Sequence, residues 1–280
     1  MRCRPFFPVV VVGLSLVLAL AGCAASKLTL VETPAPAAEG EALLAMWLER
    51  REGFQSLEGL AKVRVKTAQG SLSGTQVVIA AKPASLRAET LSPFGTPLLS
   101  LASDGKQLAV LVPGDNLFYR GTASPENLTR FTRLPLPPPA LVDILLWQPP
   151  LVAFEELTTF RTVGGGWRLL LVAGPQRQEL TFDAAARLQG VRYFYEDTLQ
   201  LLVDYGDPGV ADLPRRIVLE QPPIALQASL DFSELTVNPS LPLGRFSLQP
   251  PPGSQVIFLD EPGVDGQSSA TRVPVPGGEK

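Results

Sequence analysis

Between positions 54 and 260 the chain alternates short apolar runs with turn residues, and one amphipathic segment precedes them. In that segment, Glu41 to about Gly53, Leu43, Leu44, Met46, Trp47 and Leu48 recur at helical spacing. Glu49, Arg50, Arg51 and Glu52 take the wet face, and Gly53 ends the helix. Lys62-Val63-Arg64-Val65-Lys66 then alternates strictly, as a half-buried strand does. Further strands are predicted over 75–81, 86–91, 97–103, 107–112 and 117–121. Asp104-Gly105 forms a two-residue hairpin turn and Pro113 to Asn116 a longer one.

Two helices interrupt this rhythm. Ser124 caps a short helix to Arg133 with Pro125 at its first position. Leu134 to Pro139 must be extended, because each proline fixes its own φ and restrains the residue before it. Ala140 to Trp147 is then apolar nearly all round, with Asp143 alone polar. Such a helix is buried on every side, or it closes over something apolar. The strands resume at 156–163, 167–173, 178–182, 188–195, 199–205, 215–220, 227–237 and 255–259, punctuated by Gly164-Gly165-Gly166, Gly174-Pro175 and Gly206 to Gly209.

The fold class that follows is mainly β with helical cover (α+β): one curved antiparallel sheet, a half-open β-barrel with lid helices. About twelve strands at this spacing cannot stay flat, so the sheet curls and the helices cover its hollow. No linker divides it. The domain organisation expected is a leader over 1–22, a tether over 23–40, the half-barrel over 41–260 and a disordered tail over 261–280.

The leader changes the picture. Arg2 and Arg4 precede an uncharged apolar run from Phe6 to Ala21, and Leu20-Ala21-Gly22-Cys23 reads as a bacterial lipobox. The run is shorter than the roughly 20 residues of a membrane span. Cleavage before Cys23 and acylation of its thiol would tie the domain to a membrane surface. Composition then narrows the chemistry. The chain has no histidine, and its two cysteines are Cys3, lost with the leader, and Cys23. No disulfide, histidine-based nucleophile or zinc or copper site of the usual kind can be built, and no cofactor or metal is expected. The formal net charge of −3 becomes near −5 once Arg2 and Arg4 are lost, which gives nucleic acid no field to follow.

Catalytic patterns do not assemble. Ser103-Asp104-Gly105-Lys106 has S-x-x-K spacing but straddles a hairpin turn, with neither S-D-N nor K-T-G elsewhere. Gly164-Gly165-Gly166 has no following helix to make a phosphate loop. Glu155-Glu156 and Glu196-Asp197 are adjacent carboxylates, which within a strand point to opposite faces and make no acid/base dyad unless they lie in a turn; they read as solvated loop ends. The chain is expected not to be an enzyme. Phe94, in Ser92-Pro93-Phe94-Gly95-Thr96-Pro97, sits in a stiff loop and either folds onto the core or protrudes.

Taken in order, several segments resemble the LolA/LolB superfamily of lipoprotein-sorting proteins over roughly Glu41 to Leu259. They are Phe54-Gln55-Ser56-Leu57-Glu58-Gly59, Gln69-Gly70-Ser71-Leu72-Ser73-Gly74, and Leu91-Ser92-Pro93-Phe94-Gly95 followed by Pro97-Leu98-Leu99. Leu213-Pro214-Arg215-Arg216-Ile217, Leu235-Thr236-Val237-Asn238-Pro239 and Phe246-Ser247-Leu248 with Pro251-Pro252-Gly253 complete them. The lipobox makes the chain more similar to the LolB type. The resemblance implies an unclosed barrel whose apolar hollow takes up acyl chains of lipoproteins or related amphiphiles, a LolA-like periplasmic carrier as partner, and a monomer. It also implies that Phe94, in place of the family's usual leucine, is the membrane-insertion residue. Ala24 after the lipidated cysteine implies the periplasmic face of the outer membrane.

The function expected is therefore acyl-chain binding and membrane delivery; the alternative is a lipid-anchored interaction or sensor module that transfers nothing. The residues expected to line the hollow are Val63, Val65, Val77, Ile79, Leu86 and Leu99. Leu101, Leu108, Val110 and Phe118 extend the set, and Ile144 and Trp147 come from the lid helix.

Overall fold

The structure is a computed structural model that describes residues 32–208 and 213–261. The leader, Cys23 and all of the tail after Glu261 lie outside the described residues.

Folding begins earlier than the apolar pattern announces. Within the segment read as tether, β1 (Thr33–Ala35) forms a strand and α1 (Ala37–Arg51) starts its first turn. Pro36 stands at the N-cap with φ −55°, which suits a helix entry. Gly40 lies inside α1 and is buried against the sheet; a Cβ there would sit 2.0 Å from Thr159 Oγ1. Only glycine lets the helix approach that closely.

Two meanders make the sheet. The first runs β2 (Ser56–Thr67), β3 (Gly70–Ala81), β4 (Ser85–Leu91), β5 (Pro97–Ser103), β6 (Gln107–Val112) and β7 (Leu117–Thr122). The second runs β8 (Glu156–Arg161), β9 (Trp167–Ala173), β10 (Gln176–Phe182), β11 (Leu188–Tyr195), β12 (Thr198–Pro208), β13 (Pro214–Gln221) and β14 (Leu226–Val237). A last strand, β15 (Gln255–Phe258), completes the 15-stranded sheet. β14 pairs antiparallel with β2 and so joins the meanders side by side. The break in the ring falls between β7 and β8, where β15 caps one edge and β1 the other. Every pairing is antiparallel except β15 with β7, which is parallel. The sheet is thus open, a half-barrel.

In sequence the helical insert joins the two sides of that break, and α3 packs over β3 and β4. α2 (Pro125–Thr132) starts where its cap requires, with Ser124 Oγ accepting from the Asn127 N–H at 3.2 Å. Asp260 ties this end down, its carboxylate accepting from the Asn127 side-chain amide and the Thr122 N–H, each at 2.7 Å. α3 (Pro138–Leu145) begins two residues before the expected Ala140. Two prolines fit its first turn because the N–H groups they lack would have no intrahelical partner there.

From β14 the chain returns to β15 across the convex face. There Arg245 pairs with Glu58, and its carbonyl accepts from Arg87 Nη1 at 2.9 Å. Phe246 is buried beneath this strap. The main core lies on the concave side, where Leu43, Leu44 and Trp47 of α1 join the inward residues of β9 to β12. Trp47 meets Phe182 edge-on at 6.3 Å. Among the described residues no helix is long and apolar enough to cross a membrane.

Candidate apolar cavity under the lid helices

Cross-strand pairs share a face, so register decides what lines the hollow. Val63 faces Gly74 and Leu230, and Val65 faces Leu72 and Ala228. The same face continues through Gln76, Val78 and Ala80 of β3 to Leu86, Ala88 and Thr90 of β4, then to Leu99 and Leu101 of β5. Several of these side chains are short. Over them a cavity of about 140 Å³ remains, covered by Phe131 and Thr132 of α2, by Leu134, and by Leu141 and Leu145 of α3.

Among the described residues no ionisable side chain lines this cavity; its polar residues are Ser73, Gln76, Thr90 and Thr132. Two of them satisfy each other, Gln76 Nε2 donating to Thr90 Oγ1 at 3.1 Å. The Thr132 hydroxyl donates to the Leu128 carbonyl and accepts from the Leu134 N–H. A wall with few polar atoms, several of them paired with one another or with backbone, attracts apolar groups and leaves water little to bind. Among the described residues no group of three or more potential metal ligands comes together.

The cover is held at both ends and only packed in its middle. Asp260 ties the start of α2, as above. Beyond α3, the fully buried Gln148 donates from Nε2 to the carbonyls of Arg51 at 2.6 Å and Phe54 at 2.7 Å. Tyr205 Oη donates to the Ile144 carbonyl at 3.1 Å, and Tyr193 Oη to the Pro150 carbonyl at 2.6 Å. Burial pushes both phenols up, so they remain neutral donors. Between these ties Phe131, Leu134 and Leu141 contribute apolar contact to the cavity roof, with Tyr119 edge-on against Phe131 at 5.2 Å. Burial likewise raises the Tyr119 phenol, helped by the Asp115 charge.

The structure brings Val63, Val65, Leu86, Leu99 and Leu101 together around the cavity. Leu108 and Val110 share their concave face, one strand beyond, and are fully buried in packed core. Val77, Ile79 and Phe118 lie on the opposite, convex face, since they pair with Leu60, Glu58 and Leu111. They looked inward in sequence because the strap covers that side and lets apolar residues occupy both faces. Ile144 is buried, and its helix places Leu141 and Leu145 over the cavity instead. Trp147 belongs to a different cavity. Sequence reasoning missed Leu72, Gly74, Gln76, Val78, Ala88 and Thr90. The signal was the two-residue turn Ala68-Gln69: it sets Thr67 opposite Gly70, and from there every inward residue of β3 follows.

Phe94 is 94% exposed at the tip of the β4–β5 hairpin. Ser92 stiffens that tip, its Oγ accepting from the N–H groups of Phe94 and Thr96. Gly95, at φ +79°, makes the turn that an L side chain would strain. Of the two outcomes open to Phe94, protrusion is the one observed.

No protein-family model matches the chain, and no curated protein sequence matches it. Among solved structures the chain is similar to a DUF1329 family protein from Desulfovibrio piger, at 15% identity and TM-score 0.49, covering 76% of this chain and 97% of that one. It is also similar to a LolA superfamily protein from Nitrosomonas europaea, at 16% identity and TM-score 0.46, covering 74% and 97%. An outer membrane lipoprotein-sorting protein domain from Vibrio parahaemolyticus aligns at 12% identity and TM-score 0.43, covering 75% and 97%. All three scores lie below 0.5, and the cavity described above stands on this chain's own strand order and side chains.

Proposed function

We propose that the protein is a LolB-type acyl-chain receptor, not an enzyme, that shelters a lipid tail in the cavity beneath α2 and α3 and hands it to a bilayer. The observation that carries this reading is the cavity wall: mostly apolar, without an ionisable group among the described residues, and roofed by helices tied at their far ends and only packed in between. A cavity of about 140 Å³ is close to the roughly 150 Å³ that admits one benzene ring. It takes part of an acyl chain, and the rest requires the roof between the two tied ends to lift. Transfer of apolar surface from one sheltered site to another would supply the driving force. The lipobox supports a lipid anchor at Cys23 on the periplasmic face of the outer membrane. The rigid, exposed Phe94 tip would enter the acyl layer during delivery, and a LolA-like carrier would bring the cargo.

A palmitoylated peptide titrated into the full chain tests this. Ala88→Trp, which fills the cavity floor, should weaken binding at least tenfold, about 1.4 kcal/mol. Phe94→Asp should leave binding intact and slow transfer to phospholipid vesicles. Unchanged binding by Ala88→Trp would sink the receptor. The packed half of the core favours a second reading, an anchored interaction module without cargo, and the absence of saturable binding by the wild type would select it.

A further inference from the structure

A second cavity, of about 370 Å³, lies at the C-terminal end of α1, away from the one just described. Its walls combine two chemistries. Trp47, Phe54, Trp147 and Tyr205 supply aromatic surface; Arg50, Arg51 and Arg187 supply charge, and among the described residues no carboxylate lines it. Arg187 has its counter-ion, Asp183, at 2.8 Å. Arg50 and Arg51 have none among the described residues: Arg50 Nη1 reaches the Ala186 carbonyl at 3.3 Å, and Arg51 Nη2 the Gln148 carbonyl at 3.4 Å. Arg51 also lies over the Trp47 ring at 4.9 Å. Asp143, half-buried on α3 outside the lining, has a carboxyl that feels Arg51.

Two cations in the last turn of a helix suit its dipole, and that alone would explain Arg50 and Arg51. It does not explain Trp147. This residue is 6% exposed and sits in the left-handed region at φ 58°, a conformation a bulky side chain adopts only when its surroundings hold it there. Its indole Nε1 has no acceptor among the described residues. Gln148 Oε1 beside it is also unpartnered but lies outside the lining. Within the lining, a buried donor without a partner stands beside guanidinium groups that reach only carbonyls at long range, which leaves room for acceptor oxygens.

We infer that this second cavity binds the anionic head of a single-chain amphiphile, a phosphate or carboxylate borne on an aliphatic body. Arg50 and Arg51 take the oxygens in charge-assisted hydrogen bonds, with the Trp147 N–H as a further donor. Trp47, Phe54 and Leu213 cover the first methylenes. The inference is independent of the acyl cavity, which has no charge and lies under other helices.

Dodecyl phosphate, dodecanol and inorganic phosphate, each titrated into the full chain below any micelle concentration, test it by calorimetry and tryptophan emission. Two of the chain's three tryptophans line the cavity. Dodecyl phosphate should bind saturably, at least tenfold more tightly than dodecanol, with an affinity that falls as salt rises. Inorganic phosphate alone should not saturate. Arg50→Gln with Arg51→Gln should bring dodecyl phosphate down to the dodecanol level. Trp147→Phe, which keeps the ring and removes the donor, should cost several-fold and serves if the double variant does not fold. Ala88→Trp should leave the advantage of phosphate over alcohol untouched. Equal binding of dodecanol, full affinity in either variant, or equally tight inorganic phosphate would each overturn the inference.

Discussion

The two meanders present the same strand geometry to the interior and fill it differently. Along β9 to β12 the concave face carries Leu169, Leu171, Leu180, Phe182, Val191, Val203 and Tyr205, all nearly or fully buried. α1 lies on them closely enough to need Gly40. Along β2 to β4 the equivalent face carries Gly59, Ala61, Gly74, Gln76, Ala88 and Thr90, and a cavity remains. Strand number, pairing and curvature are shared. What separates a solid half from a hollow one is side-chain volume on one face, together with which helix covers it. The hollow is written in small residues, not in the fold.

Truncation should expose that contrast most sharply. Leu169→Ala, in the fully buried half, is expected to cost about 4 kcal/mol, because the site cannot collapse under α1. Leu99→Ala, half-buried beside existing space, is expected to cost about 1 kcal/mol. Chemical denaturation of both variants measures the difference, and equal costs would erase the distinction between the halves. Overfilling comes next: Gly40→Leu should destabilise by about 3 kcal/mol through lost α1 contact, leaving acyl binding in any folded fraction unchanged. The smallest effect is electrostatic and falls on α3. Burial raises the Asp143 carboxyl, while Arg51 and Lys82 pull it back. A raised folded value means its contribution is fully present at low pH and fades as pH climbs through that value. Asp143→Asn should therefore match wild type in acid and gain about a degree in Tm above the carboxylate range. A gain at low pH instead would reverse the sign of this account.

Hairpin chemistry was the most legible part of the sequence. A turn forms at Asp104-Gly105, but Ser103 pairs with Leu108, so four residues span it instead of two; Asp104 Oδ1 accepts from the Gln107 and Lys106 N–H groups, which also hold its carboxyl below the usual range. Ser124-Pro125 likewise announced α2. Strand length was less legible. β2 runs for 12 residues, yet alternation shows only around Val63 and Val65, because Gly59 and Ala61 blur the apolar signal on the inward side. β1 carries no pattern, since three residues on a sheet edge need only hydrogen bonds and the flanking Glu32–Arg168 and Glu39–Arg161 ion pairs. The convex strap lay beyond local reading altogether. It joins Arg245 to Glu58 across 187 positions, and without it Val77 and Ile79 read as interior.

The gap between β7 and β8 has a mechanical consequence. A closed ring of strands could widen only by rupturing backbone ladders, at a cost shared around the whole circumference. Here the rim is interrupted between β15 and β1, so the bowl can flex by sliding greasy surfaces past one another while every ladder stays paired. Compliance of that kind suits a container that must admit tails of unequal length and then let them go.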